Sequence, residues 1–471
     1  MAHFLRTRLR GFFALAAAVT CFLFLLRAHP SSLSNTQLKN TQGFFYREHI
    51  DKDQAADIQD TSTTKETTIP GITSVPGFTL LDRLYLRNGT FYVVTSDISS
   101  FPPRRNMITR PVDIGRGQNM EPTDEELRFL DPLKAKDILG NHAIPIVGMS
   151  IIVYDTGQFM AHFYHWWGEI ILGAWRVYST LAHPSRRSKP QTFATRFLLP
   201  HVQGSEWRDR AGVNAPLMRA AFPFASIEKA DYWNDLITLD RTFVFENAMI
   251  IGREAARRHP LSGTWFKMIA GTMTVPAAEH FWEAIRDPTV TNVLGFLPTL
   301  NKHGAVIAPP EATSPKPIVT YISRQGAGRR LVAEDHEVLV KALRDLEAEG
   351  ICEVVVAMME RMGLKEQIEL TARSTVIVGV HGNGMTHQLW MPPSERSTVI
   401  EIFTPGGYVF DYEMLARNIG HRHYAVWNDT LITYPKGTHY QGIQYGDGFH
   451  GNSIPVYGPA VADVIRGRLR P

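Results

Sequence analysis

The chain has 471 residues, 44% of them hydrophobic and 20% charged, so it can bury full cores and is neither disordered nor fibrous. Lysine and arginine total 49 against 46 acids, a formal net charge of +3, which gives no support to a nucleic-acid-binding role.

Arg6, Arg8 and Arg10 precede an apolar run from Gly11 to Leu26 that Arg27 closes. As a helix this run spans ~24 Å at ~1.5 Å per residue, slightly less than an early-secretory hydrocarbon core of ~27 Å. The Leu25–Pro30 stretch makes a poor cleavage site, and the arginines favour a cytosolic N-terminus. The expectation is a cytosolic tail (1–10), a transmembrane signal-anchor (11–27) and a luminal remainder: a single-pass type II protein of the Golgi or endoplasmic reticulum. A cleaved secretory signal is the competing reading. Cys21 falls in the apolar run, which leaves Cys352 alone downstream and allows no luminal intrachain disulfide. Asn88-Gly-Thr90 and Asn428-Asp-Thr430 are N-glycosylation sequons, with meaning only in the lumen. Residues 28–75 are polar and lack apolar periodicity, so they are predicted to form a flexible stem.

From residue 76 the pattern changes to that of a folded chain. Thr79–Leu86 and Thr90–Thr95 flank Asn88-Gly89 and predict a hairpin. Strands are predicted at Ile151–Tyr154, Arg241–Glu246 and Ala248–Ile251, and helices at Tyr164–Leu181 and Pro276–Ile285. The proline-rich stretch 298–317 is a plausible boundary between an N-terminal domain (76–305) and a C-terminal one (306–471). Beyond it, strands at Ile318, Ile351, Val376 and Val399 alternate with helices at Ala333–Glu349, Lys365–Ala372 and after the turn at His381. That alternation predicts a parallel sheet covered by helices on both faces. The C-terminal Pro459–Leu469 helix is expected to pack back on the first domain.

Three constellations could carry chemistry. Val376–Val380 breaks into His381-Gly382-Asn383-Gly384 and then a helical stretch, an order that places backbone N–H groups around an anion. It is neither G-x-G-x-x-G nor a P-loop. Glu401, inside the next buried strand, requires a partner there. Arg324 ends a predicted strand, with Arg329 and Arg330 beyond it, where ligands of open parallel sheets sit and an arginine can clamp a diphosphate. In His162-Phe-Tyr-His165-Trp-Trp-Gly-Glu169, His165 and Glu169 are i and i+4 neighbours on a face shared with Arg176. An aromatic setting is expected to raise the Glu169 pKa toward the range of a general base, although a purely structural role for that carboxylate stays open. The two histidines and Glu169 lack the His-Glu-x-x-His metal spacing, and Trp166, Trp167 and Trp175 are predicted core. Pro405-Gly-Gly407 is read as a supporting wall of the same site.

These pieces, taken in order, resemble the family 61 glycosyltransferases of the DUF563 type, which include plant xylosyl- and arabinosyltransferases and EGF-domain O-GlcNAc transferases. The resemblance runs over about residues 150 to 430. It is carried by His165-Trp-Trp-Gly-Glu-Ile-Ile-Leu-Gly173, Tyr321-Ile-Ser-Arg324, Arg330, Glu366-Gln367, Val378–Met385, Met391-Pro-Pro393, Val399-Ile-Glu401 and Tyr412–Tyr424. The family's turn usually reads His-Gly-Ala-Gly-Leu-Thr-Asn; here Asn383, Met385 and His387 replace the alanine, leucine and final asparagine, substitutions that bear on the donor sugar.

The resemblance implies a GT-B-like α/β fold, two Rossmann-like domains facing a cleft, with the UDP-sugar held by the C-terminal one. It implies an inverting transferase that needs no metal or other cofactor and passes xylose, N-acetylglucosamine or arabinose to a glycan or glycoprotein hydroxyl. Glu169, beside His165, is then the expected base. Arg324, Arg329, Arg330, His381, Gly382, Asn383, Gly384, Met385 and Glu401 are expected around the nucleotide-sugar. The alternative is a non-catalytic luminal nucleotide-sugar- or carbohydrate-binding protein of the same fold, which the substitutions at Asn383 and His387 motivate.

Overall fold

Asn88 and Gly89 both take positive φ, 49° and 81°, and close a hairpin between β1 (Phe78–Arg87) and β2 (Thr90–Val94) in the computed structural model of the chain. The structure describes residues 61–71, 74–182, 194–278, 280–433 and 442–470. The predicted tail and anchor, and the stem up to residue 60, lie outside the described residues. Among the described residues no helix is long and apolar enough to cross a membrane.

A first, seven-stranded sheet joins this hairpin to β3 (Leu127–Leu130), β4 (Ile144–Val153), β5 (Ala194–Leu198), β6 (Ser226–Glu228) and β7 (Phe243–Ile251) in the order β3-β2-β1-β7-β4-β5-β6. β7, β4, β5 and β6 are mutually parallel, whereas β1 runs antiparallel to β2 and β7. The two strands expected at 241–251 are one continuous strand. The end of the expected stem also belongs to this layer: Thr67 donates to the Val94 carbonyl, Thr68 bridges Asp82, and Thr63 and Thr67 are buried. Those polar residues satisfy backbone groups at the sheet rather than solvate a spacer, so the folded chain starts earlier than its composition suggests.

After a short pair, β8 (Thr299–Leu300) and β9 (Val306–Ala308), comes a six-stranded sheet: β10 (Ile318–Ile322), β11 (Glu353–Ala357), β12 (Val376–Val380), β13 (Thr398–Phe403), β14 (Arg422–Trp427) and β15 (Thr430–Ile432). Its order is β11-β10-β12-β13-β14-β15, parallel throughout except for the last strand. β10, β12 and β13 are buried along their whole length, because crossover elements cover both faces and continuous apolar runs satisfy them. The helices Ala333–Ala348, Leu364–Ala372 and Asp411–Ile419 make these crossovers.

Local geometry departs from expectation in four places. The Tyr164–Leu181 helix opens as a π-helix (Tyr164–Ile171) before becoming an α-helix (Leu172–Ser179). The segment after the glycine turn is a 3-10 helix, Asn383–Trp390. The helix expected at Pro276–Ile285 starts only at Glu283 and runs to Leu294, after His280 takes φ 59°. The C-terminal helix, Gly458–Leu469, packs on Ala333–Ala348 and not on the first sheet: a Cβ on Gly458 would lie 2.6 Å from Leu339 Cα.

One core runs through both layers. It holds Phe78, Ile151, Trp166 and Trp167 from the first half with Ile377, Trp390, Val399 and Phe403 from the second. Trp282 Nε1 donates to the Leu389 carbonyl (2.8 Å) and Arg286 Nε to the Trp390 carbonyl (3.0 Å), fastening the 283–294 helix to the second half. The three tryptophans predicted as core are buried.

Candidate functional site

In the second sheet the chain goes from β10 to β11 in one direction and from β12 through β14 in the other. The order therefore reverses between β10 and β12, and ligands of open parallel sheets sit at such a switch point, beyond the carboxyl ends of the strands. Arg324 follows β10 there, and His381-Gly382 follows β12. The two are fitted to each other: an ideal Cβ on Gly382 would fall 1.4 Å from Arg324 Nη1. Arg324 Nη1 and Arg329 Nη1 both point at the His381 carbonyl, at 3.5 and 3.2 Å. Reciprocal bonds between Gln325 and Leu331 pin the loop that carries Arg329. Burial and the neighbouring Arg329 guanidinium push the Arg324 pKa down. Among the described residues neither arginine has a carboxylate within ion-pair distance. The switch point therefore carries two guanidinium groups without an ion-pair partner among the described residues, Glu360 acting on Arg324 only from beyond that distance.

Behind them lies a ladder in which carboxylates alternate with basic side chains. Glu401, fully buried in β13, accepts from His381 Nδ1–H (2.5 Å) and His423 Nε2–H (2.8 Å). The other ring nitrogen of His381 is 3.7 Å from Asp411 Oδ2, and Asp411 Oδ1 pairs with Lys267. Burial opposes the Asp411 carboxylate, but Lys267 and His381 hold its pKa below the usual value. Lys267 is likewise kept charged against burial by Asp411 and Glu169.

The first sheet has its own switch point, between β4 and β7. Asp155 follows β4 and accepts the backbone N–H of Arg253, which follows β7, at 2.9 Å. Arg253 Nη1 in turn donates to Glu169 Oε2 (2.5 Å), and His165 Nδ1–H donates to the same oxygen (2.6 Å). The π-helix presents both residues, as such helices often do at functional sites. Gly168 lets the helix 411–419 close on it: a Cβ there would meet Leu415 Cδ2 at 2.9 Å.

Here one expectation is corrected. Burial alone would raise the Glu169 pKa, but Arg253, then His165, hold the carboxyl well below the usual carboxylate range. A carboxylate so stabilised is a poor proton acceptor. Its chemistry is to fix the imidazole, leaving His165 Nε2, on a quarter-exposed side chain, with no hydrogen-bond partner among the described residues.

The two switch points meet. Asn383 Oδ1 accepts the backbone N–H of Tyr164 (3.1 Å), and Tyr164 packs against Tyr412 (5.5 Å). His162 lies tilted against His165 at 4.9 Å, and desolvation followed by the His165 ring drives its pKa down to about 4, while Asp411, Glu169 and Arg329 also act on it.

The remaining predicted residues divide. Gly384 lies beside Ile322 in the turn. Arg330 sits on the loop beyond Arg324, and the structure assigns its side chain no contact with the turn. Met385 is buried under the turn against Gly379, away from the surface where a ligand would lie. Asn383 ties the turn to the π-helix, and the buried His387 lies against the Gly384 carbonyl (3.1 Å) and Gln367 Oε1 (2.9 Å). The substitution at His387 is expected to bear on the donor sugar, but its side chain is internal, and both substitutions that motivate the binding-protein alternative have structural explanations. Arg176, expected to share a face with His165 and Glu169, bonds the Thr272 and Asn418 carbonyls. Asn88 and Asn428 are exposed in turns.

Arg253, Lys267, Asp411 as an ion-pair partner and His423 escaped sequence reasoning. Arg253 alone left a signal, since it follows a strand as Arg324 does. Glu413, the second carboxylate of Asp411-Tyr-Glu413, accepts from the Tyr408 hydroxyl and Arg417. Among the described residues no group of three or more His, Cys, Asp or Glu side chains is arranged to hold a metal.

Two parallel-rich sheets whose switch points meet over a basic cluster and a carboxylate–imidazole pair define an α/β protein. Residues 163–400 match the model of the family described as Glycosyltransferase 61, and the chain belongs to that family. It is also similar to the EGF domain-specific O-linked N-acetylglucosamine transferase of Drosophila melanogaster, 30% identical over 129 residues. That match covers 26% of this chain and spans only 22% of the relative's length.

Proposed function

We propose that the protein is an inverting glycosyltransferase of GT-B architecture, with residues 306–471 holding a UDP-sugar and residues 76–305 presenting the acceptor. The observation that carries this reading is the pair Arg324 and Arg329, without a carboxylate at ion-pair distance among the described residues, joined through Asn383 and Tyr164 to the His165–Glu169 pair. In the proposed reaction His165 Nε2 takes the proton of an acceptor hydroxyl. The freed oxygen attacks the anomeric carbon from the face opposite the diphosphate, and the carbon–oxygen bond to the diphosphate breaks with its electron pair staying on the leaving oxygen. Arg324, Arg329 and the N–H groups of the turn receive the charge developing there without a metal ion. Glu169 and Arg253 are positioning residues: the carboxylate fixes the imidazole tautomer and stabilises the imidazolium, and the arginine fixes the carboxylate. His381, oriented by Glu401, shapes the turn from behind.

The relative's name makes N-acetylglucosamine the first donor to try and an EGF domain the first acceptor, with xylose and arabinose next. A type II anchor at 11–27 would place the reaction in the endoplasmic reticulum or Golgi lumen. The test is turnover and donor affinity with a UDP-sugar panel, with and without EDTA. His165→Ala should lower turnover by about 10²–10⁴-fold while donor affinity persists. Arg324→Ala should lose donor affinity and turnover together. Wild-type turnover in an active His165→Ala variant would end the assignment of the base, and donor affinity unchanged in Arg324→Ala would end that of the diphosphate site.

A further inference from the structure

Pro405-Gly-Gly407, expected as a supporting wall, is the seat of residues 442–450, beyond the residues matched by the family model. Tyr408 and Gln444 exchange backbone bonds (2.7 and 2.9 Å), and Thr404 Oγ1 donates to the Asp447 carbonyl (3.2 Å). The glycines permit this contact: a Cβ on Gly407 would meet Phe449 Cδ2 at 2.7 Å, and one on Gly446 would meet the Pro405 carbonyl at 2.8 Å. The segment thereby lays buried Phe449 on the His381 ring (5.3 Å) and beneath the Arg329 guanidinium (5.5 Å).

Tyr445 stands edge-on to Phe449 (5.0 Å, 90°) and is stacked with His450 (5.9 Å, 25°), yet the residue is 65% exposed. An aromatic ring braced on two sides and left open is a platform waiting for a ligand face. Its position indicates which face. Through Phe449 it adjoins both Arg329 and His381, and the far ring nitrogen of His381 faces Asp411, the partner of Lys267. Lys267 lies over the Tyr164 ring of the π-helix (5.6 Å), so the contacts that start at Tyr445 reach both the diphosphate side and the proton-acceptor side. In a nucleotide-sugar bound there, the transferred sugar occupies that interval, and the nucleobase leaves the diphosphate at its other end.

We infer that Tyr445 is a specificity-determining residue whose ring stacks on the apolar C–H face of the donor's sugar. The inference rests on the transferase reading above. It implies a pyranose ring whose hydroxyls are mainly equatorial, since an axial hydroxyl would hold the ring off the aromatic surface.

The test compares UDP with UDP-N-acetylglucosamine and UDP-xylose by titration calorimetry on the full chain, using wild type, Tyr445→Phe and Tyr445→Ala. Tyr445→Ala should weaken the preferred UDP-sugar by about tenfold, close to 1.4 kcal/mol, and leave UDP affinity within about twofold. Tyr445→Phe keeps the ring and should keep the affinity. Equal weakening of UDP and UDP-sugar would make the ring a nucleobase platform and overturn the inference. Unchanged affinity for every donor would also overturn it, sending the ring to the acceptor. If wild type binds neither UDP nor any UDP-sugar, the transferase reading itself fails, a result separate from any Tyr445 outcome.

Discussion

At the residue scale the decisive fact is that Glu169 has Arg253 as a partner. Burial of a carboxyl among aromatic rings raises its pKa when nothing opposes it, and the opposing guanidinium comes from 84 residues away. The sign of the resulting pH dependence follows. Because the folded-state pKa of Glu169 is depressed, the stability it lends is present above the ordinary glutamate value of about 4.3 and is lost as pH falls through the folded value. Arg253→Ala removes the principal cation, so burial regains control and the carboxyl protonates at higher pH. The expected outcome is an acid limb of the kcat/KM profile displaced upward by about one unit or more, with Arg253→Lys displaced less. A profile that does not move in Arg253→Ala would mean that Glu169 does not hold His165 in its working state. The same separation in sequence explains what could be read beforehand. Arg324, His165, Glu169, His381 and Glu401 declare themselves by type and place in a predicted strand or helix. Their partners do not: Lys267 reaches Asp411 across 144 residues, and no local pattern encodes that meeting.

At the element scale, strands were legible and helix type was not. Continuous apolar runs such as Val376–Val380 can only be buried strands or buried helix, and their length and β-branching decide for strand. The π-helix at Tyr164 and the 3-10 helix at Asn383 arise from close packing, where the Gly168 contact with Leu415 and the Asn383 bond to Tyr164 fix the backbone. Apolar spacing does not register such constraints. The glycine turn gives the corresponding prediction. Its first glycine is needed because Arg324 occupies the space a side chain would take, and the displaced group would be the far end of a flexible arginine rather than backbone. Gly382 also holds φ 157°, a conformation that a side chain disfavours, so Gly382→Ala should lower the unfolding free energy by about 1–3 kcal/mol and lower donor affinity as far as Arg324→Ala does. Combining the two substitutions should add little further loss, since both act through one guanidinium. Fully additive losses in titrations of the single and double variants would mean that the turn binds donor independently of Arg324.

At the scale of the whole molecule, a cleft between two α/β layers suggests two bodies able to move apart, and interdomain interfaces are polar and labile by default. The packing here argues otherwise. Trp167 and Trp390 meet edge to face at 5.1 Å, Trp282 and Arg286 bind the carbonyls of Leu389 and Trp390, and one apolar cluster includes strands of both sheets. Opening the layers would strip those carbonyls and rings of their partners at once. The layers should therefore unfold together, with near-UV and far-UV signals coinciding in a urea titration. Arg286→Ala leaves the buried Trp390 carbonyl without its donor, a loss of about 1–3 kcal/mol. Part of that is returned, because Arg286 Nη2 is itself buried without a partner. The variant should accordingly lower the midpoint without splitting the transition. Two separated transitions in wild type would refute a shared core as the frame of the site. Two transitions only in Arg286→Ala would identify the 283–294 helix as the fastening that makes the layers one cooperative unit.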